Sequence, residues 1–370
     1  MEKKKIIIIG CGRVAVKHVK AIKKLSQVCE LKALVDVSED APAKVLESAK
    51  YDPSDVKVYN DYKQAIDEIS PDIVAVTVPS GLHYQIAGYA LEHGCNLLLE
   101  KPMTMSSGES REIYELSEQK GLKIAMGHIY RYFPLVGILR EDIKNGVFGK
   151  VVCGDISVRW GHGDDYYSSA AWRGTWRSDG GALMNQTIHA IDLLVWLMGS
   201  KPVEATSMLS KKVRNIEAED LGMAVLRMDD GALASITGTT ATSDKEHGAQ
   251  FSVYCEDGTV SLGLYKGKPR LDIRNGKGKK RNLRYIVKQI KLHGISSLTS
   301  ALNPHHGIYK DFLEALENGR QPVADAMSGY SSVDTLMGIY RSAREGRPVE
   351  LPLKEDFSSV DMTGFFEKNS

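Results

Sequence analysis

Lys5-Ile-Ile-Ile-Ile-Gly-Cys-Gly-Arg-Val-Ala15 is the stretch on which the fold turns. Ile6 to Ile9 is an uninterrupted β-branched run, the pattern of a strand buried on both faces at the centre of a parallel sheet. The run breaks at Gly10, and Gly10, Gly12 and Ala15 then spell G-x-G-x-x-A. In such a turn the first glycine permits a tight bend and the second lets backbone approach a pyrophosphate. The alanine lets the next helix pack close. A helix from Arg13 to about Leu25 would place Arg13, Val14 and the positive end of its dipole at the phosphates.

A second apolar run, Leu31 to Val35, ends in Asp36, at the distance where a ribose-binding carboxylate is expected. Asp36 would accept hydrogen bonds from both adenosine ribose hydroxyls and repel a 2′-phosphate. Val37, Ser38, Glu39 and Asp40 offer no arginine to hold one. NAD is therefore expected in preference to NADP.

Strand and helix patterns then alternate through Val56–Tyr59, Tyr62–Ile69, Asp72–Pro79, His83–His93, Asn96–Glu100, Ser106–Lys120 and Lys123–Met126. Six such units predict a doubly wound parallel sheet, a Rossmann domain over 1–127. Ligands of these sheets lie beyond the carboxyl ends of the strands, which singles out Thr77, Pro79 and His83, Glu100 and Lys101, and Arg131. Around Gly149 the pattern changes to alternating segments, with hairpin signals at Asp229-Asp-Gly231 and Glu256-Asp-Gly258, and a second, substrate-binding and oligomerisation domain is expected over 128–350. An α+β domain with a large, mostly antiparallel open sheet is expected there. Helices are expected at Gly180–Met198, Pro304–Asn318 and Ser328–Arg344, and a mobile loop at the lysine- and glycine-rich Lys266–Arg281. Residues 351–370 read as a tail, packing back or exposed.

Composition narrows the classes. The 370 residues carry a net charge of +1, which gives no global case for nucleic acid or an acidic partner. Five cysteines without C-x-x-C spacing argue against a disulfide framework and a zinc site, and no metal is expected. No apolar run approaches the roughly 18 residues that span a bilayer. No signal peptide is apparent, so a cytoplasmic location and no membrane partner are expected.

Two constellations carry chemistry. Lys101, directed by Pro102 from the end of a buried strand, can hydrogen-bond a substrate hydroxyl and stabilise oxyanion character as hydride leaves. In Asp179-Gly-Gly-Ala-Leu-Met-Asn185-Gln-Thr-Ile-His189, the apolar stripe leaves Asn185 and His189 off the core face, one helical turn apart. An imidazole, with an unperturbed pKa of about 6.5, suits removal of a hydroxyl proton while the carbon loses hydride.

With these pieces assembled, the chain resembles the Gfo/Idh/MocA family of NAD(P)-dependent oxidoreductases along nearly its whole length. The resemblance rests on Gly10–Ala15, Thr77-Val-Pro-Ser-Gly-Leu-His83, Glu100-Lys-Pro102, Tyr130-Arg-Tyr-Phe-Pro134, the glycine–histidine helix and Ala343–Pro348. It implies an active-site lysine at Lys101, a catalytic acid/base at His189, and Thr77, Pro79, His83, Glu100 and Arg131 along or near the cofactor. It also implies a homodimer or homotetramer formed through the C-terminal sheet. The common family pattern has aspartate where this chain has Asn185. An amide can orient an imidazole but cannot stabilise its cation by charge. Trp172-Arg-Gly-Thr-Trp176 followed by Gly180–His189 instead resembles the UDP-N-acetyl-glucosaminuronate 3-dehydrogenases and related nucleotide-sugar C3 oxidoreductases. Arg173, Trp176, Asn185 and Gln186 would join Lys101 and His189 at the sugar. Asn303-Pro-His-His-Gly307 reads either as a donor-rich turn for a substrate anion or as an ordinary helix cap. A free-sugar or inositol dehydrogenase, and a non-catalytic NAD-binding regulator, are the alternative expectations.

Overall fold

The isoleucine run forms the middle of a parallel sheet. In the computed structural model, which describes residues 2–243, 245 and 247–368, β1 (Lys4–Ile9) pairs with both β2 (Cys29–Val35) and β4 (Ile73–Val76). Ile6, Ile7 and Ile8 are fully buried, each worth about 1.5–3 kcal/mol of transfer free energy. With β3 (Lys57–Tyr59), β5 (Asn96–Leu99) and β6 (Ile124–Met126), the sheet runs β3-β2-β1-β4-β5-β6, every pairing parallel. The connecting helices are α1 (Ala15–Lys24), α2 (Ala41–Ala49), α3 (Tyr62–Ile69), α4 (His83–Glu92) and α5 (Ser107–Lys120). The strand order reverses between β2-β1 and β4, so the β1–α1 turn lies where such sheets bind dinucleotides.

The second sheet is built around β7 (Val151–Trp160), which follows α6 (Pro134–Lys144) and precedes α7 (Asp164–Ser168) and α8 (Ile188–Met198). β8 (Pro202–Ser210), β9 (Leu221–Met228), β10 (Leu233–Thr239), β11 (His247–Cys255), β12 (Gly258–Tyr265) and β13 (Lys268–Asn275) complete it, with the two-residue β14 (Val349–Glu350) at one edge. The order is β13-β12-β11-β7-β10-β9-β8-β14, antiparallel except for the parallel β7–β10 pair. One face carries the 182–198 helical segment. A Cβ at Gly154 would strike Leu194 and Met198, and one at Gly238 would strike Thr187 and Leu183, so both glycines make room for it. The opposite face leaves Met208, Met223, Val225 and Leu233 exposed.

The expected mobile loop at Lys266–Arg281 is corrected. Lys266 and Gly267 take the positive φ of a tight hairpin turn, and 268–275 pair with β12 as an edge strand. Only Ile273 is buried on it; an edge strand needs few apolar residues, and charge on it opposes edge-to-edge aggregation. α9 (Asn282–His293) follows, a helix outside the expected set.

The chain divides into two compact units, and the division is not contiguous. The first comprises residues to Thr104, Glu109–Phe133 and Ser300–Tyr330; the second comprises Met105–Gly108, Pro134–Thr299 and the chain from Ser331. The expected boundaries at 127 and 350 assigned 300–330 to the second domain. The physical reason for the difference is α10 (Pro304–Glu317). Its Ile308, Tyr309 and Phe312 are fully buried in one cluster with Ala15, Val19 and Ile22 of α1. From Ser331 onward α11 (Ala326–Glu345) belongs to the second unit, where its Asp334 accepts the Leu353 amide. The tail packs back through Phe357, whose carbonyl accepts the Ser107 amide at 3.0 Å. Asn369 and Ser370 lie outside the described residues.

Candidate functional site

Gly10 has φ +95°, and a Cβ there would sit 2.8 Å from the Thr77 carbonyl. Only glycine fits that bend. Thr77 closes the turn, its amide donating to Ile9 O at 2.8 Å and its hydroxyl to Gly10 O at 2.5 Å. A Cβ at Gly12, by contrast, would meet nothing within 4 Å. Gly12 and Arg13 are exposed, and Val14 precedes α1 without a side-chain cap. The open backbone ahead of an uncapped helix start is a cradle suited to a pyrophosphate. Asp36 reaches the same turn: one carboxylate oxygen accepts the Cys11 amide at 2.6 Å and the other the Ser38 amide at 2.8 Å. The fingerprint glycines, Thr77 and Asp36 therefore converge in one unit, and their geometry fits a dinucleotide. Burial and the Asp36 charge push the Cys11 thiol up to about 12, which leaves it inert.

Glu100 directly follows β5, and its carboxylate is enclosed. His18 Nε2 of α1 lies 3.0 Å and His305 Nε2 of α10 3.4 Å from the same oxygen; His18 Nδ1 lies 3.0 Å from the Tyr309 hydroxyl. Burial alone would raise the Glu100 carboxyl, but the two imidazoles outweigh it and hold the group well below the carboxylate range. Burial pushes His18 down, so a neutral imidazole donates to an ionised carboxylate. Among the described residues these three are the one set of His, Cys, Asp and Glu side chains close enough to share a cation; the hydrogen-bond pattern already accounts for them. The role expected for Glu100 along the cofactor is thus replaced, for the oxygen that meets the imidazoles, by a bracing one. His18 had no signal beyond an unremarkable place on a helix. His305 comes from the Asn303–Gly307 turn; its imidazole turns into the first unit's core, and Pro304 opens α10 as in an ordinary helix start.

His83 is also corrected. It is buried, with Nδ1 2.8 Å from Pro102 O and Nε2 3.0 Å from Val78 O. Burial keeps the ring neutral, so its one N–H donates to one of these two carbonyls, and enclosed between them His83 shapes the loop bearing Lys101 and Pro102. Pro79 stays exposed at its strand end. Arg131 donates from Nη1 to Val323 O and the Ser328 hydroxyl.

In the second unit, the expected regular helix begins as a π-helical turn over Ala182–Thr187 before α8. Glu219 sets it. Its carbonyl accepts the Ala182 amide and its Oε1 the Leu183 amide, both at 2.9 Å, and a Cβ at Gly181 would overlap its carboxylate. The Thr187 hydroxyl bonds Ala182 O, five residues back, and fills the widened turn. Asn185 lies in this turn and His189 on the first turn of α8. The Asn185 amide group donates to Asp179, and its carbonyl accepts Gln186 Nε2 at 2.8 Å. Asp179 is buried and also accepts the Gly174 amide at 2.9 Å. A carboxylate thus stands behind the asparagine, six residues upstream. Sequence spacing gave no cue to that, because Gly180 at φ +67° folds the chain back.

Trp176 is corrected outright. It is fully buried, edge-on to Tyr340 with centroids 5.2 Å apart, and is core, not a sugar contact. Arg173 is half-buried beside the rings of Tyr166 and Trp172, at 4.2 and 4.6 Å, with Nε bonded to Ser169. Lys101 belongs to the first unit and His189 to the second.

Glu219 carries a pH signature. Burial pushes its carboxyl up to about 7, ahead of the opposing hydrogen bonds from Leu183 and Tyr340. Its Oε2 has no partner among the described residues, so ionisation would strand a charge. A raised folded pKa means stability present at low pH and lost as pH rises from about 4.5 to 7. Glu219→Gln lacks that titration. Its unfolding free energy relative to the native chain should improve by about 3 kcal/mol across that interval and then level off. Urea titrations at a series of pH values check this, and a flat difference would refute the ionisation cost.

Residues 4–128 match the oxidoreductase family with an NAD-binding Rossmann fold, and 138–261 match the GFO/IDH/MocA C-terminal domain. The structure resembles the WlbA dehydrogenase from Bordetella pertussis in complex with NADH and UDP-GlcNAcA, with TM-score 0.84 and 26% identity over 95% of this chain and 99% of that one. The WlbA dehydrogenase from Chromobacterium violaceum, with the same two ligands, gives 0.82 and 26% over 96% and 98%. The D-glucoside 3-dehydrogenase of Escherichia coli is 24% identical over 94% of this chain and 97% of its own. An uncharacterised oxidoreductase of Synechocystis is 27% identical over 55% of this chain, and the match spans 58% of that protein.

Proposed function

This chain belongs to the Gfo/Idh/MocA family of NAD-binding oxidoreductases, and from that premise we propose that it oxidises, reversibly, the C3 hydroxyl of a nucleotide-linked sugar such as UDP-N-acetyl-glucosaminuronate. The observation that carries the proposal is the whole-length likeness to two dehydrogenases holding NADH and UDP-GlcNAcA. The likeness to a D-glucoside 3-dehydrogenase favours the same carbon and gives the second reading, a simple glycoside in place of the nucleotide sugar.

Bound NAD supplies the hydride acceptor. Lys101 donates a hydrogen bond to the reacting hydroxyl and steadies the charge that develops on its oxygen. His189 takes the hydroxyl proton. Asn185, fixed by Asp179 and Gln186, sets the imidazole's position, and Gln186 and Arg173 contact the sugar. The amides after Gly10, with Arg13 and Val14, receive the pyrophosphate, and Asp36 receives the adenosine ribose. The exposed apolar residues of the second sheet, Met223 and Val225 among them, meet a second copy of the chain in a homo-oligomer. Among the described residues no helix is long and apolar enough to cross a membrane.

Absorbance of reduced nicotinamide tests the substrate class, with NAD offered against UDP-N-acetyl-glucosaminuronate, other nucleotide sugars, simple glycosides and inositols. Signal confined to nucleotide sugars is expected; signal with glycosides alone would move the assignment to the second reading. Asp36→Ala should lower kcat/KM for NAD about 10- to 100-fold, through loss of charge-assisted hydrogen bonds, and raise the NADP to NAD ratio. An unchanged ratio would remove Asp36 from cofactor choice.

A further inference from the structure

Between Ile273 and Lys310 the chain has no aspartate or glutamate, and residues 274–291 hold eight lysines and arginines. The whole chain is net +1, so positive charge is segregated here. Arg274 pairs with Asp272, and Lys288 with Asp142. Lys277, Lys279, Lys280, Arg284 and Lys291 are exposed. The same segment holds an unusual density of bare apolar side chains. Leu283 is 74% exposed, Leu292 61% and Ile295 75%, and Val287 and Leu298 stand out beside them. α9 buries Tyr285 and Gln289 on its inner side. On its outer side Leu283, Arg284, Val287, Lys288, Lys291 and Leu292 line one open groove. Cations therefore run down the middle of the free face, with leucine and valine along its margins.

We propose that this surface, from Lys277 through α9 to Leu298, docks the protein on an anionic phospholipid bilayer. Such an interface takes both kinds of side chain at once: the central lysines and arginines meet the headgroup phosphates, and the apolar side chains at the margins, with Ile295 and Leu298 beyond α9, settle into the headgroup layer beside them. A nucleic-acid backbone would satisfy the cations but leave Leu283, Leu292 and Ile295 wet, and the exposed face offers no aromatic platform for bases. A second copy meeting this face symmetrically would set two strongly positive surfaces against each other. The association is peripheral and reversible, since α9 has 12 residues and is too short to span. It would hold the dehydrogenase at a membrane surface, beyond anything its chemistry requires.

The test is co-sedimentation of the full chain with phosphatidylcholine vesicles, with and without phosphatidylglycerol. Pelleting that requires phosphatidylglycerol and weakens in high salt is expected. Arg284→Glu with Lys291→Glu should lower the partition coefficient at least about 25-fold, at about five-fold per cation. Leu292→Ser with Ile295→Ser should lower it about tenfold through lost apolar insertion. Circular dichroism and NAD binding, unchanged in both, show that each variant is folded. Absent or lipid-independent pelleting overturns the proposal. So does an apolar variant that binds like the native chain while duplex DNA competes, which would mark a nucleic-acid surface. Charge variants that instead abolish self-association in sedimentation velocity would assign the face to a second copy.

Discussion

Lys101→Ala should lower kcat about 10²- to 10³-fold, the cost of removing one preorganised donor from an oxygen that gains charge in the transition state, with NADH affinity within a few-fold of native. The separation follows from where the residue sits. Lys101 begins the loop after β5, and other side chains brace that loop: His83 lies between the Pro102 and Val78 carbonyls, and His18 and His305 meet Glu100. The dinucleotide turn is built from Gly10, Gly12, Thr77 and Asp36, none of which uses the lysine amine in its hydrogen bonds. The expected outcome of removing the ammonium is therefore a lost substrate donor with these turn and loop contacts retained. Steady-state kinetics alongside NADH fluorescence titration separates the two quantities. A kcat within threefold of native would take Lys101 out of the chemistry; an equal collapse of NADH binding would make it a cofactor residue.

His189→Ala should cost about 10²- to 10⁴-fold in kcat/KM for alcohol oxidation, the usual range for a positioned general base, and should change the shape of the pH profile. Oxidation needs the imidazole neutral, so the native profile rises with pH along an acid limb. The variant should lose that limb and climb with hydroxide instead. A purely structural histidine would leave the limb in place and shift only its height, so the profile discriminates where the rate alone does not. His189→Ala sits on the first turn of α8 beside a π turn pinned by Glu219 and Thr187. The backbone there is held by residues other than the imidazole.

These expectations were unequally legible in the chain. The Rossmann sheet was nearly complete in the sequence, because β1, β4, β5 and β6 are largely buried apolar runs and the turns are marked by glycine, proline or an acidic residue. Asp36 and Gly12 could be singled out for the same reason, since both lie at strand-end turns that the local pattern marks. Trp176 was misread because a tryptophan beside an arginine has no local signature for core or surface; Tyr340, which covers it, lies 164 residues away. The bracing of Glu100 was hidden likewise, as His18 and His305 come from helices at opposite ends of the sequence that pack together through Val19, Ile22, Ile308 and Phe312. β13 and α9 went unseen because their exposed sides are rich in charge, and composition alone reads as loop. The π turn needed Glu219, a residue 34 positions beyond Asn185, to be visible as a cap.

The decisive measurement is the mass of any NADH formed when the protein is given NAD and UDP-N-acetyl-glucosaminuronate deuterated at C3 only. Deuterium recovered in the reduced nicotinamide, with no transfer from substrate labelled at C4, is the predicted result. Turnover that yields unlabelled NADH from the C3-deuterated sugar would contradict it.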